Sequence, residues 1–414
     1  MLFIYRILIN LVFLLSPIIL IFRLFKKKEN FYSFIYKIGL TQKKRSKGKL
    51  IWFHGASVGE IQSIIPVVEK YENSKEINQI LITSNTLSSQ KILNSYNFKK
   101  VTHQFFPIDS YYLISKFINY WKPSIALFID SEIWPNVLIK LNENKIPIVL
   151  LNARITKKSF KRWIKIKDFA QFIFKKFEIC LCSNKETVRY LKKFGANKIK
   201  YYGNLKYAQS ENEKIKLNKK TLNFFHKKII WCASSTHNSE EKFIGHIHLS
   251  LKKKIKNLVT IIIPRHIDRE NEIMEQLYEL NLKVHLHENK EKIDNKTDIY
   301  LVNSFGKTKS FYSLVNNVFL GGSLIKHGGQ NPLEAVRYNC NILHGPNISN
   351  FTEIYRFLEE QKISKKINNL NQVINILSKN LISKKIKNNI KNKIKFIGQD
   401  ILKKNMSEIQ KLMK

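Results

Sequence analysis

The chain reads as an α/β protein: two Rossmann-like domains facing a cleft, preceded by an N-terminal membrane-anchoring helix. Three observations lead there. Short β-rich runs alternate with longer polar-apolar segments, the pattern of βα units in a parallel sheet. The rhythm occurs twice, broken by the polar stretch QSENEKIKLNKK. Polar, glycine-bearing clusters fall at the ends of the runs, and open α/β sheets bind ligands beyond the carboxyl ends of their strands.

The first element is the apolar stretch LFIYRILINLVFLLSPIILIFRLF. As a helix it would reach roughly 36 Å at about 1.5 Å per residue, enough to cross a bilayer. Ser16 and Pro17 interrupt its apolar core, so insertion along the surface is the competing arrangement. The basic RLFKKK keeps the following chain on the cytoplasmic side, which makes residues 1–25 an anchor. Residues 26–210 form the first domain, with strands expected at LIWFHG, QILITSN, SIALFID, IPIVLLN and EICLCSN. A linker follows near residues 208–225. Residues 211–414 form the second domain, with strands at KIIWCASS, LVTIIIPRH, KVHLHE, IYLVNS, NNVFLGGS and CNILHGP.

Composition bounds the function class. At 414 residues and 44% hydrophobic content, the chain fills two domains of ordinary size. Its 72 Lys and Arg against 31 Asp and Glu give a formal charge of +41, which admits nucleic acid or an anionic membrane as partner. Lysine, asparagine and isoleucine are abundant throughout, so part of the excess is compositional bias. Nucleic acid is disfavoured because the distinctive residues gather at strand ends rather than in a basic stripe interleaved with aromatics. Cys180, Cys182, Cys232 and Cys340 have neither zinc-site spacing nor disulfide-scaffold density, and read as buried, reduced thiols in a cytoplasmic protein. Neither HExxH nor GxxxxGK[ST] occurs.

The clusters carry the chemistry. In HGASVGE, Ser57 and Glu60 have the S-x-x-E spacing of a capping box. The same position exposes a carboxylate at a strand's carboxyl end, and local sequence alone supports both readings. Asp130 and Glu132 of DSEIWPN, with Glu60, form a carboxylate set in which each charge shifts the others' pKa. Lys206 of GNLK is a solvated lysine or a cation for phosphate. Arg265 and His266 follow an apolar strand, where a guanidinium grips phosphate or carboxylate or makes a surface ion pair. In GGSLIKHGGQNPLEA, Gly321, Gly322, Gly328 and Gly329 allow close approach of backbone to a ligand, and a helix near Pro332 offers amides to phosphate. Asn331 as cap and Glu334 in the first turn are the structural alternative.

Taken in order, HGASVGE, DSEIWPN, LNARIT, GNLK, SSTHNSEE, PRH, GGSLIKHGGQNPLE and GPNISNF resemble the 3-deoxy-D-manno-octulosonate (Kdo) transferases of lipopolysaccharide synthesis. The resemblance implies a GT-B glycosyltransferase architecture, with the first domain binding acceptor and the second binding CMP-Kdo. It implies inverting transfer of Kdo to the lipid A precursor (lipid IVA) at the cytoplasmic face of the inner membrane, with no metal or cofactor. Glu60 would be the general base, and Asp130 and Lys206 would stabilise the transition state. CMP would be held by Pro264 and Arg265, by Phe305, Gly306 and Lys307, and by Asn331, Pro332, Leu333 and Glu334. The chain departs from the family pattern at Asp130, where glutamate is usual, at Phe305 and Lys307, where Met and Glu are common, and at Gln330, usually histidine. Competing readings are a nucleotide-sugar epimerase, another GT-B transferase, or a non-enzymatic basic membrane-tethered protein.

Overall fold

The structure is a computed structural model that describes residues 1–40, 42–209, 217–289, 291–382 and 390–413. The chain divides into two compact units, Met1–Ser210 with Lys395–Lys414, and Glu211–Ile394. Residues 210–216 of the expected linker lie outside the described residues, and the helix Lys219–His226 begins within its remainder.

The first unit is built on a sheet of β1 (Leu50–His54), β2 (Gln79–Ser84), β3 (Val101–Phe105), β4 (Ile125–Ile129), β5 (Ile148–Ala153), β6 (Ile179–Cys182) and β7 (Ile199–Tyr201), in the order β3-β2-β1-β4-β5-β6-β7. Every pairing is parallel. Parallel sheets are covered on both faces, so the central strands are continuous apolar runs rather than alternating ones. Within β1 the side chains still divide by parity: Leu50 and Trp52 join a core cluster rich in aromatics, while Ile51 and Phe53 join one dominated by isoleucine. Cys180 and Cys182 lie together in the first cluster, and all four cysteines are buried and free.

The second unit has β8 (Ile229–Thr236), β9 (Leu258–Pro264), β10 (Val284–Leu286), β11 (Ile299–Leu301), β12 (Asn317–Leu320), β13 (Asn341–His344) and β14 (Ser364–Lys366), ordered β10-β11-β9-β8-β12-β13-β14 and again all parallel. The first sheet winds outward in both directions from the pair β1/β4, and the second from β8/β12, with β11 inserted between β9 and the edge strand β10. These pairs are the topological switch points, where helices on opposite faces leave a crevice at the carboxyl edge.

The carboxyl terminus differs from the sequence reading. Residues 211–414 were expected to form one domain, yet the chain returns to the first unit at Lys395. In the helix Ile390–Lys411, Ile401 and Ile409 enter the isoleucine-rich cluster of the first sheet, with Ile397, Leu402 and Met406 against it. Gly398 makes this docking possible: a Cβ there would collide with the Tyr207 carbonyl. Periodicity reveals that this segment has an apolar stripe but not which core the stripe enters.

The amino-terminal helix Leu2–Phe25 is also part of the first unit. Tyr5 Oη donates to Asp109 Oδ2 at 2.6 Å, Arg6 Nε donates to Asn136 Oδ1 at 3.1 Å, and Ser110 Oγ donates to Asn10 Oδ1 at 3.2 Å. Ser16 and Leu20 are buried along the same side, whereas Phe3, Ile7, Leu11, Ile18 and Phe22 are exposed.

Candidate active site

The first switch point gathers three carboxylates. β1 ends at His54, the chain turns through Gly55 and Ala56, and Ser57 caps the helix Val58–Glu72. The capping box forms in full. Ser57 Oγ accepts from the Glu60 amide at 3.4 Å, and Glu60 Oε2 accepts from the amides of Ala56 at 2.6 Å and Ser57 at 3.4 Å. Ser57 Oγ also meets Glu60 Oε1 at 3.0 Å. Capping does not make this an ordinary glutamate. Burial, then the charges of Glu132 and Asp130, push its carboxyl up to about 7, against the pull of its hydrogen bonds.

Glu132 is held the other way. Burial opposes its ionisation, but His54 Nε2 at 3.2 Å and Trp134 Nε1 at 2.9 Å both meet Oε2, and the net effect lowers its pKa. His54 is itself fixed from behind. Trp52 Nε1 donates to Thr83 Oγ1 at 2.9 Å, and Thr83 Oγ1 lies 2.9 Å from His54 Nδ1. An indole only donates, so the Thr83 oxygen accepts from Trp52, and the Thr83 hydroxyl faces both His54 Nδ1 and the Phe53 carbonyl at 3.4 Å. The ionised Glu132 only accepts, so His54 Nε2 donates to it. One carboxyl is thereby kept ionised beside another held near neutrality.

Asp130 follows β4 in the left-handed region, φ 53°, and its Oδ1 accepts from Asn152 Nδ2 at 2.7 Å. Asn152 Oδ1 accepts from the Leu205 amide at 3.0 Å, within the short turn Leu205–Ala208 that carries Lys206. The structure thus brings the expected Asp130 and the Lys206 turn to one side-chain amide.

In the second unit the expected residues share the carboxyl edge of the sheet. Pro264 ends β9 beside Thr236, and Arg265 is exposed just beyond it. Phe305, Gly306 and Lys307 follow β11; Phe305 is exposed, and a Cβ on Gly306, φ 78°, would meet nothing within 4 Å. Asn331 Oδ1 accepts from the Leu333 amide at 3.2 Å, ahead of the short helix Leu333–Arg337, with Pro332 and Leu333 buried and Glu334 half-buried.

The glycine pairs receive a different account from the sequence reading. A Cβ on Gly321 would strike the Ser235 carbonyl and Thr236 Cα, so this glycine serves the close approach of β12 to β8. The following amides are already occupied: buried Glu240 accepts from Gly322 at 2.7 Å, Ser323 at 3.2 Å, Leu324 at 3.1 Å and His237 at 3.0 Å. Gly328, φ 100°, and Gly329, φ 74°, lie against residues 347–350. Sequence reading assigned no role to Glu240, His54 or Asn152. All three stand inside quoted motifs, but their partners lie far away in sequence. Among the described residues, no group of three or more His, Cys, Asp or Glu could hold a metal ion.

Two doubly wound parallel sheets, each with polar groups collected at its switch point, define the GT-B architecture. A family profile described as 3-Deoxy-D-manno-octulosonic-acid transferase (kdotransferase) matches residues 33–209. The 3-deoxy-D-manno-octulosonic acid transferase of Rickettsia bellii is 32% identical over 363 residues, 86% of this chain and 85% of the relative. A probable mitochondrial transferase of the same name from Arabidopsis thaliana is 31% identical over 86% of this chain and 83% of its own. The chain belongs to the 3-deoxy-D-manno-octulosonic acid (Kdo) transferase family. Among solved structures, the UDP-GlcNAc 2-epimerase of Neisseria meningitidis shares the fold, with TM-score 0.58 and 14% identity over 88% of this chain and 99% of its own.

Proposed function

We propose that this Kdo transferase moves Kdo from CMP-Kdo to the lipid A precursor, lipid IVA, by one inverting displacement that uses no metal. The observation that carries the reading is Glu60, a half-buried carboxyl at the first switch point pushed to about 7, near the optimum for a base working at neutral pH. Glu60 takes the proton of the acceptor hydroxyl as its oxygen bonds the anomeric carbon. The bond to the phosphate oxygen breaks on the opposite face, and its electron pair leaves with CMP. Lys206 offsets the negative charge of the leaving group, and Asp130 supports the positive charge on the sugar. In the second unit Pro264, Arg265, Phe305, Gly306, Lys307, Asn331, Pro332, Leu333 and Glu334 hold CMP, with Arg265 on the phosphate and Glu334 on ribose hydroxyls. Incubation with CMP-Kdo and lipid IVA in the presence of a chelator should give the Kdo-extended lipid by mass spectrometry, with the inverted anomer by NMR. Absence of product from this pair overturns the substrate assignment.

Two further outcomes follow. Glu132→Gln removes a negative charge next to Glu60, which makes ionisation of Glu60 easier, so the acidic limb of the kcat/KM profile should move to lower pH. A slower enzyme with an unmoved limb would assign that titration to another group. Arg265→Ala and Glu334→Ala should each weaken CMP binding by about tenfold, the scale of one charge-assisted hydrogen bond. Unchanged CMP affinity by calorimetry in both would put the nucleotide elsewhere.

The proposed location is the cytoplasmic face of the inner membrane, with the helix Leu2–Phe25 lying in the membrane surface rather than across it. One side of this helix is docked through Tyr5, Arg6 and Asn10, and the opposite side is apolar and exposed, which supports an in-plane arrangement. A second basic and apolar segment supports it. Lys157, Lys158, Lys161, Arg162 and Lys165 are exposed together with Ile164 and Phe172, and Trp163 packs on the same core cluster as Leu2. Lysine, arginine and tryptophan in this mixture suit an anionic lipid interface.

A further inference from the structure

The carboxyl end of β5 is irregular. Leu151 pairs with Leu181 and Ala153 with Cys182, so the register against β6 skips Asn152. Asn152 has φ 54°, in the left-handed region that asparagine tolerates better than most residues, and is almost fully buried. Neither of its two hydrogen bonds is interchangeable. The Asp130 carboxylate can only accept and the Leu205 amide can only donate, so the Asn152 side chain has one orientation that satisfies both. Aspartate would set two carboxylates against each other, and alanine would leave the Leu205 amide without this partner. Asp130 is held from its backbone as well, its amide donating to the Leu151 carbonyl at 3.1 Å and its carbonyl accepting from the Arg154 amide at 3.0 Å. A strand-end bulge therefore directs one amide sideways to join the loop after β4 to the turn bearing Lys206.

We propose that Asn152 is a positioning residue that fixes the Asp130 carboxylate and the Lys206 turn relative to each other during glycosyl transfer. The proposal rests on the roles assigned above to Asp130 and Lys206. A displacement of about 1 Å at reacting groups is enough to cost about 10²-fold in rate. Asn152→Ala is accordingly expected to lower kcat about 10²-fold while KM for CMP-Kdo changes by less than about threefold, since the group acts on the transition state rather than on donor binding. In an Asp130→Ala background the same substitution should cost clearly less than it does alone, because only its hold on the Lys206 turn remains to be lost.

Steady-state kinetics and thermal melting of the four proteins of this cycle test the idea. Reduced thermal stability with unchanged kcat in Asn152→Ala would make the residue a strut and overturn the proposal alone. Full activity in Asp130→Ala would instead remove the role of Asp130 on which the proposal stands. If Asn152→Ala does not fold, Asn152→Asp keeps an acceptor for the Leu205 amide but removes the donor to Asp130. A folded Asn152→Asp protein with depressed kcat and little change in KM supports the proposal, whereas full kcat overturns it.

Discussion

Glu60→Gln is expected to lose about 10²- to 10⁴-fold in turnover, the usual yield of a positioned general base, while keeping CMP affinity and fold. The reason it should fold is specific. Glutamine is as acceptable as glutamate in the third position of a capping box, so the Ala56 amide keeps an acceptor and Ser57 keeps its cap. A carboxyl whose folded pKa, about 7, lies above its ordinary value of 4.5 binds more protons folded than unfolded in between. Its contribution to stability is full below 4.5 and falls as pH rises towards 7. At neutral pH the wild-type protein thus bears part of the cost of ionising Glu60, and the neutral side chain removes it. Kinetics and melting at pH 8 check both halves of the prediction. Near-normal turnover would leave Glu60 a cap and nothing more, and a lowered melting temperature matching the lost activity would remove the distinction between base and cap.

The same residue shows what a sequence can and cannot reveal. The strand before it was legible because LIWF is buried on both faces, and so were the other long apolar runs. Three strands were not anticipated: β3 (VTHQF), β7 (IKY) and β14 (SKK). All three are sheet edges, where one side lacks a neighbour and polar residues are tolerated, so the apolar signal fades. Glu60, Asp130 and Arg265 were singled out from their positions after strands, and Lys206 from the GNLK motif of the family resemblance. Their tuning was not. That Glu132 is held ionised by His54, and that Asn152 ties Asp130 to the Lys206 turn, depend on contacts across 78, 22 and 53 positions of chain. The glycines misled for a related reason: Gly321 marks close backbone approach, but the approaching backbone is the protein's own β8.

Substituting Ile7→Glu, Leu11→Glu and Ile18→Glu together should release the protein from anionic vesicles. All three side chains are exposed on the undocked side of the helix Leu2–Phe25, so no protein contact opposes the change. Each substitution removes an apolar side chain from the lipid-facing side, a loss of about 1.5–3 kcal/mol of burial, so three should reduce partitioning on the order of 10³-fold or more. Tyr5, Arg6 and Asn10 are retained, so the helix stays docked on Asp109, Asn136 and Ser110, and the thermal transition should hold. Activity on detergent-dispersed acceptor should persist while activity on acceptor in vesicles falls, because co-localisation on a surface is lost. The basic segment at residues 157–165 would then act alone, and what binding remains should disappear with added salt as its charges are screened. The orientation has its own readout, made clean by the burial of all four native cysteines. A cysteine added ahead of residue 2 and a separate Lys28→Cys should both react with a membrane-impermeant maleimide from the cytoplasmic side of sealed vesicles, since a helix lying in the surface keeps both ends there. Labelling of the two from opposite sides would mean that the helix leaves its dock and spans the bilayer, with Tyr5 and Arg6 withdrawn from Asp109 and Asn136.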